Sequence, residues 1–552
     1  MTDERPQGRA RARTREVLWH SGATSLAAAL AVASGLLLDV AIAAGFGAGA
    51  GTDAFFVAAR LPLGISAIVM VAANQALVPA ISTWLATRDE REAWRLTTAL
   101  LVGAALLTGA VTAIAIAIAA PLVRLTAPGL GDSSVAEAVH LARILFPIVP
   151  LVTLAEVFRA VLNARRSFVV PALMHVVLNG VAAAIVLSAP TEGIALVAWA
   201  YLAGAVAQLG FLVAAALARG FRFVGGGSLR DPEVVATARL CVRPTVGAGL
   251  NPLARIGEQI MISFLPAGSI TIMNYGYRLI SAIGGSVLFR SVVVVILPRL
   301  THATARGDDL EVRNLTRLGT RIMLAVSVPL TALMAVLAQP AVLAVFRRGS
   351  FGADDAELLG VVLAVYAASL VGSALQRALL APFFARLDTK VPLRNTLYGV
   401  LANLALVPVF VAWAGDRPEA VVGVAAAYSI AQYVNVAHAW YRLRRDTGIE
   451  LRGVGDSAWR LAVAGGAMAA TLLGAVGLIG PAAEGSTLVR LARTSVAALL
   501  GLAAFAGVAA LVGLLDLERG YVTLMRSGPG RGPAPPADPP DPDSRGGGAA
   551  AS

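Results

Sequence analysis

Apolar runs of about twenty residues or more recur along this chain, separated by short stretches rich in Arg, Gly, Pro and Asp. A run of that length crosses the ~30 Å hydrocarbon layer of a bilayer as a helix. The pattern predicts about fourteen spans, near 22–45, 62–84, 97–123, 138–162, 168–188, 193–217, 243–265, 270–298, 318–345, 358–384, 392–414, 420–441, 458–480 and 490–515. The expected fold class is therefore an all-α polytopic membrane protein.

The loops between the runs differ sharply in charge. One set holds Arg88, Arg91 and Arg95; Arg165 and Arg166; Arg219, Arg222, Arg230 and Arg239; and Arg299, Arg306 and Arg313. It continues with Arg386, Lys390 and Arg394, then Arg442, Arg444, Arg445 and Arg452, and the segment before the first run adds Arg5, Arg9, Arg11, Arg13 and Arg15. The opposite set holds Arg124, Arg347, Arg348 and Arg417, with Arg490 and Arg493 near its last member. Positive loops face the cytoplasm, so both termini are expected there.

The first half is also repeated faintly in the second. Phe46 precedes Arg60-Leu61 by fourteen positions, and Phe264 precedes Arg278-Leu279 by fourteen. Leu77-Val78-Pro79 leads to Asp89 as Ile296-Leu297-Pro298 leads to Asp308, and Ala164-Arg165 leads to Val170-Pro171 as Ala385-Arg386 leads to Val391-Pro392. The offset drifts only from 218 to 221 residues and covers six spans, an even number, so the copies share one orientation. Two parallel six-helix lobes are expected, related by an axis along the membrane normal, and such duplication usually belongs to transporters. The expected organisation is a basic tail at 1–20, an N-lobe at 21–218, a C-lobe at 219–445, two extra spans at 446–520 and a Gly/Pro-rich tail at 521–552. That last segment cannot bury a core and is expected to be disordered.

Composition agrees with the membrane reading: 57% of residues are hydrophobic, 14% are charged, and the mean hydropathy is +0.75. The net charge of +12 does not indicate nucleic acid, because its arginines sit beside apolar spans. No short apolar stretch ends in a cleavage site, so no removable signal peptide is expected. Cys241 is alone and allows no intrachain disulfide; His20, His140, His175, His302 and His438 lack metal-ligand spacing. The water-exposed loops are short, and no P-loop, nucleophile elbow or paired-carboxylate motif is present, so the chain does not read as an enzyme.

Charged residues inside the spans are costly in hydrocarbon and mark candidate function. Asp39 lies in the first span and Asp53 at the start of the second; Arg143 and Arg159 lie in the fourth, Arg255 and Glu258 in the seventh, Arg278 and Arg290 in the eighth, and Arg377 in the tenth. One reading is a cationic cavity for an anionic headgroup, with carboxylates setting arginine rotamers or binding a coupling cation. Another reading of Arg255 and Glu258, three apart on one helix face, is mutual neutralisation. Arg159 and Arg377 are expected to snorkel to the cytoplasmic interface. Arg278 is favoured for function, being deep and matched in the repeat by Arg60.

Several segments resemble the MurJ/MviN flippases of the multidrug/oligosaccharidyl-lipid/polysaccharide exporter superfamily. They are Phe46-Gly47-Ala48-Gly49 with Thr52 to Ala58 and Leu61-Pro62; Val161 to Ala164 with Pro171-Ala172; Tyr275 to Leu279; and Ile296 to Leu300. Phe346 to Phe351 and Phe384 to Pro392 also fit, and the likeness runs over about residues 25–520. The resemblance implies a two-lobed bundle that moves lipid II, the undecaprenyl-diphosphate-linked peptidoglycan precursor, across the cytoplasmic membrane. It further implies a cavity whose arginines meet the diphosphate, a lipid-tail groove by the last two spans, and drive by membrane potential or a coupling cation. No other cofactor and no metal are expected. Membrane lipids and proteins of cell-wall synthesis or division are the partners it suggests.

The chain departs from that family where cavity arginines are expected: Val32, Leu38 and Ser66 occupy those positions, and Met70-Val71-Ala72-Ala73 replaces an acidic segment. Under the leading reading Arg278 and Arg255 hold the diphosphate, with Arg143 and Arg290 as further cavity cations, and Asp53 orients an arginine. Glu258, Asp388 and Asp39 are the candidates for ion coupling. The alternatives are export of another lipid-linked polysaccharide and a non-transporting scaffold of the cell-wall machinery.

Overall fold

A computed structural model describes residues 5–189, 192–285, 288–415, 417, 419–451, 453–479 and 487–513; side chains at 5–21, 243–244, 246–248, 250–251, 285 and 288–295 lie outside that description. The Gly/Pro-rich tail expected at 521–552 falls outside the described residues. The described residues form nineteen α-helices and no named strand. The first half contains α1 (Arg5–Phe46), α2 (Ala50–Ala72), α3 (Val78–Thr87), α4 (Glu90–Ala117) and α5 (Ala119–Thr126). It continues with α6 (Asp132–Leu145), α7 (Ile148–Ala164), α8 (Val169–Ala172), α9 (Met174–Ser188) and α10 (Ala195–Ala218). The second half contains α11 (Pro232–Ile262), α12 (Ser269–Gly285), α13 (Leu288–Ala305), α14 (Asp309–Val345), α15 (Ala353–Ala385), α16 (Lys390–Ala414) and α17 (Ala420–Thr447). Two more helices, α18 (Val454–Ile479) and α19 (Thr487–Leu511), follow.

Among the described residues, twelve helical stretches are long and apolar enough to cross a membrane. The other two expected spans are α11 and the α12–α13 stretch. Arg239, Arg243, Arg255 and Glu258 interrupt the apolar character of α11, and residues 286–287 between α12 and α13 lie outside the described residues. The basic segment at the N-terminus is helical from Arg5 and continuous with the first span. A π-helical turn, Ala73–Leu77, joins α2 to α3 within the second span.

Helices α1 to α10 pack mainly among themselves, through α9 on α1 and α10, α7 on α4 and α10, and α2 on α6. Helices α12 to α17 form a second group through α14 on α15, α15 on α17 and α12, and α16 on α17, while α18 and α19 pair with each other and lie against α14. Helix α11 touches both groups, meeting α2 and the π-turn on one side and α16 on the other.

The repeat is visible in the backbone. Asp89 and Asp308 are the N-caps of α4 and α14. At the other end of the repeat, Arg166 and Leu387 are, among the described residues, the non-glycine residues with positive φ, both at 57°. The bonds around them match at an offset of 221: Ser167 N–H to Leu162 C=O, and Asp388 N–H to Phe383 C=O, each at 2.9 Å. Both are the long bond that closes a helix C-terminus through a left-handed residue. Equivalent stretches therefore terminate their helices by the same device.

Close helix approach depends on small residues, as expected where lipid removes the hydrophobic drive between helices. A Cβ at Gly204 of α10 would lie 2.5 Å from the Leu178 carbonyl oxygen of α9, whereas one at Gly210 would meet nothing within 4 Å. Gly204→Ala should therefore destabilise the detergent-solubilised protein by about 1–3 kcal/mol through overpacking. Gly210→Ala should be neutral or stabilising by up to about 1 kcal/mol, through helix propensity. Paired thermal-unfolding curves check the contrast, and equal shifts would refute the α9–α10 contact.

Candidate functional site

The N-terminal ends of α2 and α12 face each other across the two helix groups. Asp53, buried in the first turn of α2, accepts from the Gly268 N–H (2.7 Å) through one carboxylate oxygen. The other oxygen accepts from the Thr271 N–H (2.8 Å) and the Thr271 hydroxyl (2.6 Å). The first turn of a helix presents N–H groups with no intrahelical acceptor and a partial positive charge, so a carboxylate there satisfies both. Asp53 was expected to orient an arginine; instead it caps α12 from the opposite helix group. Thr271 lies 218 residues from Asp53 and is its repeat mate.

Three further contacts join the groups at the same end. Ser350 donates from its N–H to the Ala44 carbonyl (2.8 Å) and from its hydroxyl to the Gly45 carbonyl (3.1 Å). The Gly129 N–H donates to the Ser263 hydroxyl (3.0 Å), and Gln259 Nε2 donates to the Thr126 carbonyl (3.2 Å). Gly349 needs to be glycine: its φ is +56° and a Cβ would fall on the Ala44 carbonyl. This is the end away from the arginine-rich loops.

Deeper along the interface, Arg278 of α12 forms an ion pair with Asp39 of α1 at 2.7 Å and donates to the Tyr201 hydroxyl of α10 at 3.4 Å. Asp39 and Tyr201 are buried, whereas the Arg278 side chain keeps 34% of its surface exposed. The carboxylate thus compensates the cation from the protein side and leaves part of the guanidinium fork open. A half-exposed, oriented guanidinium is suited to bidentate capture of phosphate oxygens. Asp39, a candidate for ion coupling in the sequence, is occupied by Arg278.

Arg60 of α2 reaches into the second group: its Nε donates to Gln259 Oε1 at 2.8 Å and its Nη2 to Asn274 Oδ1 at 2.9 Å. Arg255 and Glu258 form an ion pair on α11. Glu258 also accepts from the Asn403 amide of α16, and the Arg255 guanidinium carbon lies 3.2 Å from the centre of the Tyr277 ring. Together they wall a polar cavity of about 270 Å³ that Gln376, Arg377 and Asn435 also line. Mutual neutralisation of Arg255 and Glu258 is real, and the pair still borders a cavity. Arg377, expected to snorkel, is among the residues that line that cavity.

The other candidates lie apart. Arg143 is exposed on α6. Arg290 belongs to α13, and its side chain lies outside the described residues. Asp388 accepts from the Lys390 N–H at 2.9 Å, closing the turn into α16. Arg159, expected to snorkel, pairs with the buried Glu156 and donates to Asn74 of the π-turn at 2.6 Å. Gln259, Asn274 and Asn403 are uncharged, carry no motif and escape a reading by charge and spacing, whereas Glu156, a carboxylate within the fourth span, was open to the reading that found Arg159 and was missed. Arg60 was visible only as the repeat mate of Arg278. Among the described residues no group of three or more His, Cys, Asp or Glu is placed to hold a metal ion.

Comparison with known proteins adds the context. The family model described as lipid II flippase MurJ matches residues 42–492. A probable lipid II flippase MurJ of Vibrio cholerae serotype O1 is 29% identical over 474 residues, covering 80% of this chain and 85% of that protein. The lipid II flippase MurJ of Burkholderia cenocepacia is 29% identical over 392 residues, covering 68% and 75%. A solved lipid II flippase MurJ in an inward closed conformation superposes with a TM-score of 0.71 at 18% identity, over 91% of this chain and 99% of that one. An inward-facing multidrug-resistance MATE transporter of the MOP superfamily gives 0.62 at 16% identity, over 75% and 95%. At these identities the two structures speak for the fold alone. The sequence match is what decides the family, and because it runs unbroken from α1 into α19, through both helix groups, this chain belongs to the MurJ family of lipid II flippases.

Proposed function

We propose that the protein moves lipid II across the bacterial cytoplasmic membrane by alternating access, with both termini and the arginine-rich loops on the cytoplasmic side. The match of the MurJ family model to residues 42–492 carries this reading and favours it over a different lipid-linked glycan or a scaffold. In that orientation the contacts of Asp53, Gly129 and Ser350 close the extracytoplasmic end. The diphosphate of a substrate entering from the cytoplasm would then meet Arg278, held in place by Asp39.

The positions where arginines were expected from the family pattern do not supply cations here. Leu38 is fully buried, and the Ser66 hydroxyl donates to its own helix at the Pro62 carbonyl. Anion recognition therefore rests on α11 and α12 more than on α1. The carboxylates proposed for ion coupling are engaged, Glu258 by Arg255 and Asn403, and Asp388 by a turn. Drive by the membrane potential fits this arrangement. An inside-negative potential favours outward movement of an anionic headgroup by about 2.3 kcal/mol per charge per 100 mV.

Complementation tests the reading. In a bacterium depleted of its own lipid II flippase, the chain should restore growth, and Arg278→Ala should not. Because Arg278→Ala strands the buried Asp39 carboxylate, at a cost of about 3–5 kcal/mol, the double variant Asp39→Asn/Arg278→Ala serves as the control for folding. It should insert normally and still fail to transport; rescue by it would remove Arg278 from substrate binding.

A second measurement addresses the extracytoplasmic closure. A short thiol crosslinker joining Gly45→Cys to Ser350→Cys, in a Cys241→Ala background, should block lipid II transport in proteoliposomes. Adding Asp53→Asn should lower the crosslink yield, because the new amide presents a donor to the Gly268 or Thr271 N–H, an unmade bond worth about 1–3 kcal/mol. Undiminished transport after full crosslinking would show that these contacts do not open during the cycle.

A further inference from the structure

Arg60 is held by neutral acceptors. The Gln259 and Asn274 amide oxygens receive its Nε and Nη2, and each amide is pinned by its own NH2 group. Gln259 donates to the Thr126 carbonyl at 3.2 Å and Asn274 to the Ile270 carbonyl at 2.7 Å, so both oxygens are fixed towards the guanidinium. The neighbouring carboxylates are committed elsewhere: Asp39 to Arg278, Asp53 to the start of α12, and Glu258 to Arg255 and Asn403. Arg60 stands ten residues into α2, about 15 Å from its Ala50 end at 1.5 Å per residue, which puts it deep in the span. The space bounded by Arg60, Arg255, Gln259 and Asn274 is only about 10 Å³. That is about enough for one water and far too small for a phosphate group.

We propose that Arg60 is a further diphosphate-binding residue, and that its site is latched: the anion competes with the Gln259 and Asn274 amide oxygens for the guanidinium. The identity of the anion as the lipid II diphosphate rests on the function proposed above. The amide oxygens offer the guanidinium a hydrogen bond without a formal charge, whereas a phosphate oxygen adds direct Coulombic attraction to the same bond, so a diphosphate displaces the amides. Arg255 and Glu258 also line this space, but as an ion pair they add no net charge, so Arg60 is the uncompensated cation of the site. Since the anion cannot fit while the amides are in place, occupying Arg60 and releasing α2 from α11 and α12 are one event. The substrate then binds the separated arrangement better than the joined one, the condition under which a ligand shifts a conformational equilibrium. Substrate arrival would thereby loosen the interface that the extracytoplasmic contacts also close.

Competition makes a prediction that a purely structural role does not. Removing an acceptor should tighten anion binding, while removing the arginine should weaken it. The full chain in lipid nanodiscs is titrated with farnesyl diphosphate and, separately, with inorganic pyrophosphate. Asn274→Ala and Gln259→Ala should each bind farnesyl diphosphate about tenfold tighter, the equivalent of one hydrogen bond with a charged donor. Arg60→Gln should bind at least about tenfold more weakly, the loss expected for a charge-assisted bond. Arg60→Lys, which keeps the charge without the fork, should fall between and covers the case in which Arg60→Gln does not fold. Farnesyl diphosphate should also reduce the Gly45→Cys/Ser350→Cys crosslink in the parent but not in Arg60→Gln. Pyrophosphate giving the same ordering supports a latch that reads the anion alone; the ordering with farnesyl diphosphate only supports one that also needs the lipid. Weaker or unchanged binding by both acceptor variants overturns the latch, as does failure of the parent to bind either probe. If the parent restores growth in lipid II depletion while all variants bind alike, the latch fails and the lipid II reading stands. If the ordering appears without rescue, the latch stands and the transported lipid is a different diphosphate.

Discussion

A guanidinium deep in a membrane needs acceptors, and in this protein that need joins the two halves of the chain. Arg278 finds Asp39 and Tyr201 in the opposite helix group, and Arg60 finds Gln259 and Asn274. Neither arginine is satisfied by its own half. Hydrocarbon offers no substitute for a missing partner, so each cation makes the closed interface cheaper than the open one unless a new anion arrives. A substrate bearing a diphosphate supplies such an anion. The same residues that hold the halves together are thus the ones that an anionic lipid can recruit.

Duplication explains why the interface has this form. The starts of α2 and α12 are repeat-equivalent and meet each other, so that Asp53 contacts its own mate Thr271. Their arginines, Arg60 and Arg278, lie 218 residues apart and each finds partners in the opposite helix group. The chemistry has diverged within this shared geometry. Arg278 has a carboxylate partner and an exposed face, whereas Arg60 has amide partners and almost no free space. One helix start carries the capping carboxylate and the other carries the orphan N–H groups it caps.

The differences from the family pattern also become intelligible in three dimensions. With Leu38 buried and Ser66 bonded within its helix, α1 and α2 retain Arg60 as the cation facing α11 and α12. The pair Arg255–Glu258, stacked on Tyr277 and tied to Asn403, organises a cavity inside the second helix group. In the first group Glu156, Arg159 and Asn74 form a comparable pair with an amide partner, set on a π-helical turn that touches α11. Such turns are often placed at functional sites because their extra residue redirects a side chain. These two clusters each combine a carboxylate, an arginine and an amide, whereas at the interface Arg278 has a carboxylate and a phenol and Arg60 has amides alone.

The amino-acid sequence by itself determined the membrane class, the repeat and the family. These are properties of periodicity, loop charge and spacing, which follow from local chain geometry and from the thickness of the bilayer. It also singled out Asp39, Asp53, Arg255, Glu258 and Arg278, because an ionisable residue within an apolar run is visible without a partner. Only the tertiary structure decided who those partners are. Asp53 caps a helix 215 residues away instead of orienting an arginine, Asp39 is the counter-ion of Arg278, and Arg377 lines a cavity. Gln259, Asn274 and Asn403 could not have been found beforehand, since an amide carries no charge and acquires meaning from what its oxygen faces. A cost of burial can be read from one residue, but its compensation depends on two, and the chain brings those two together only by folding.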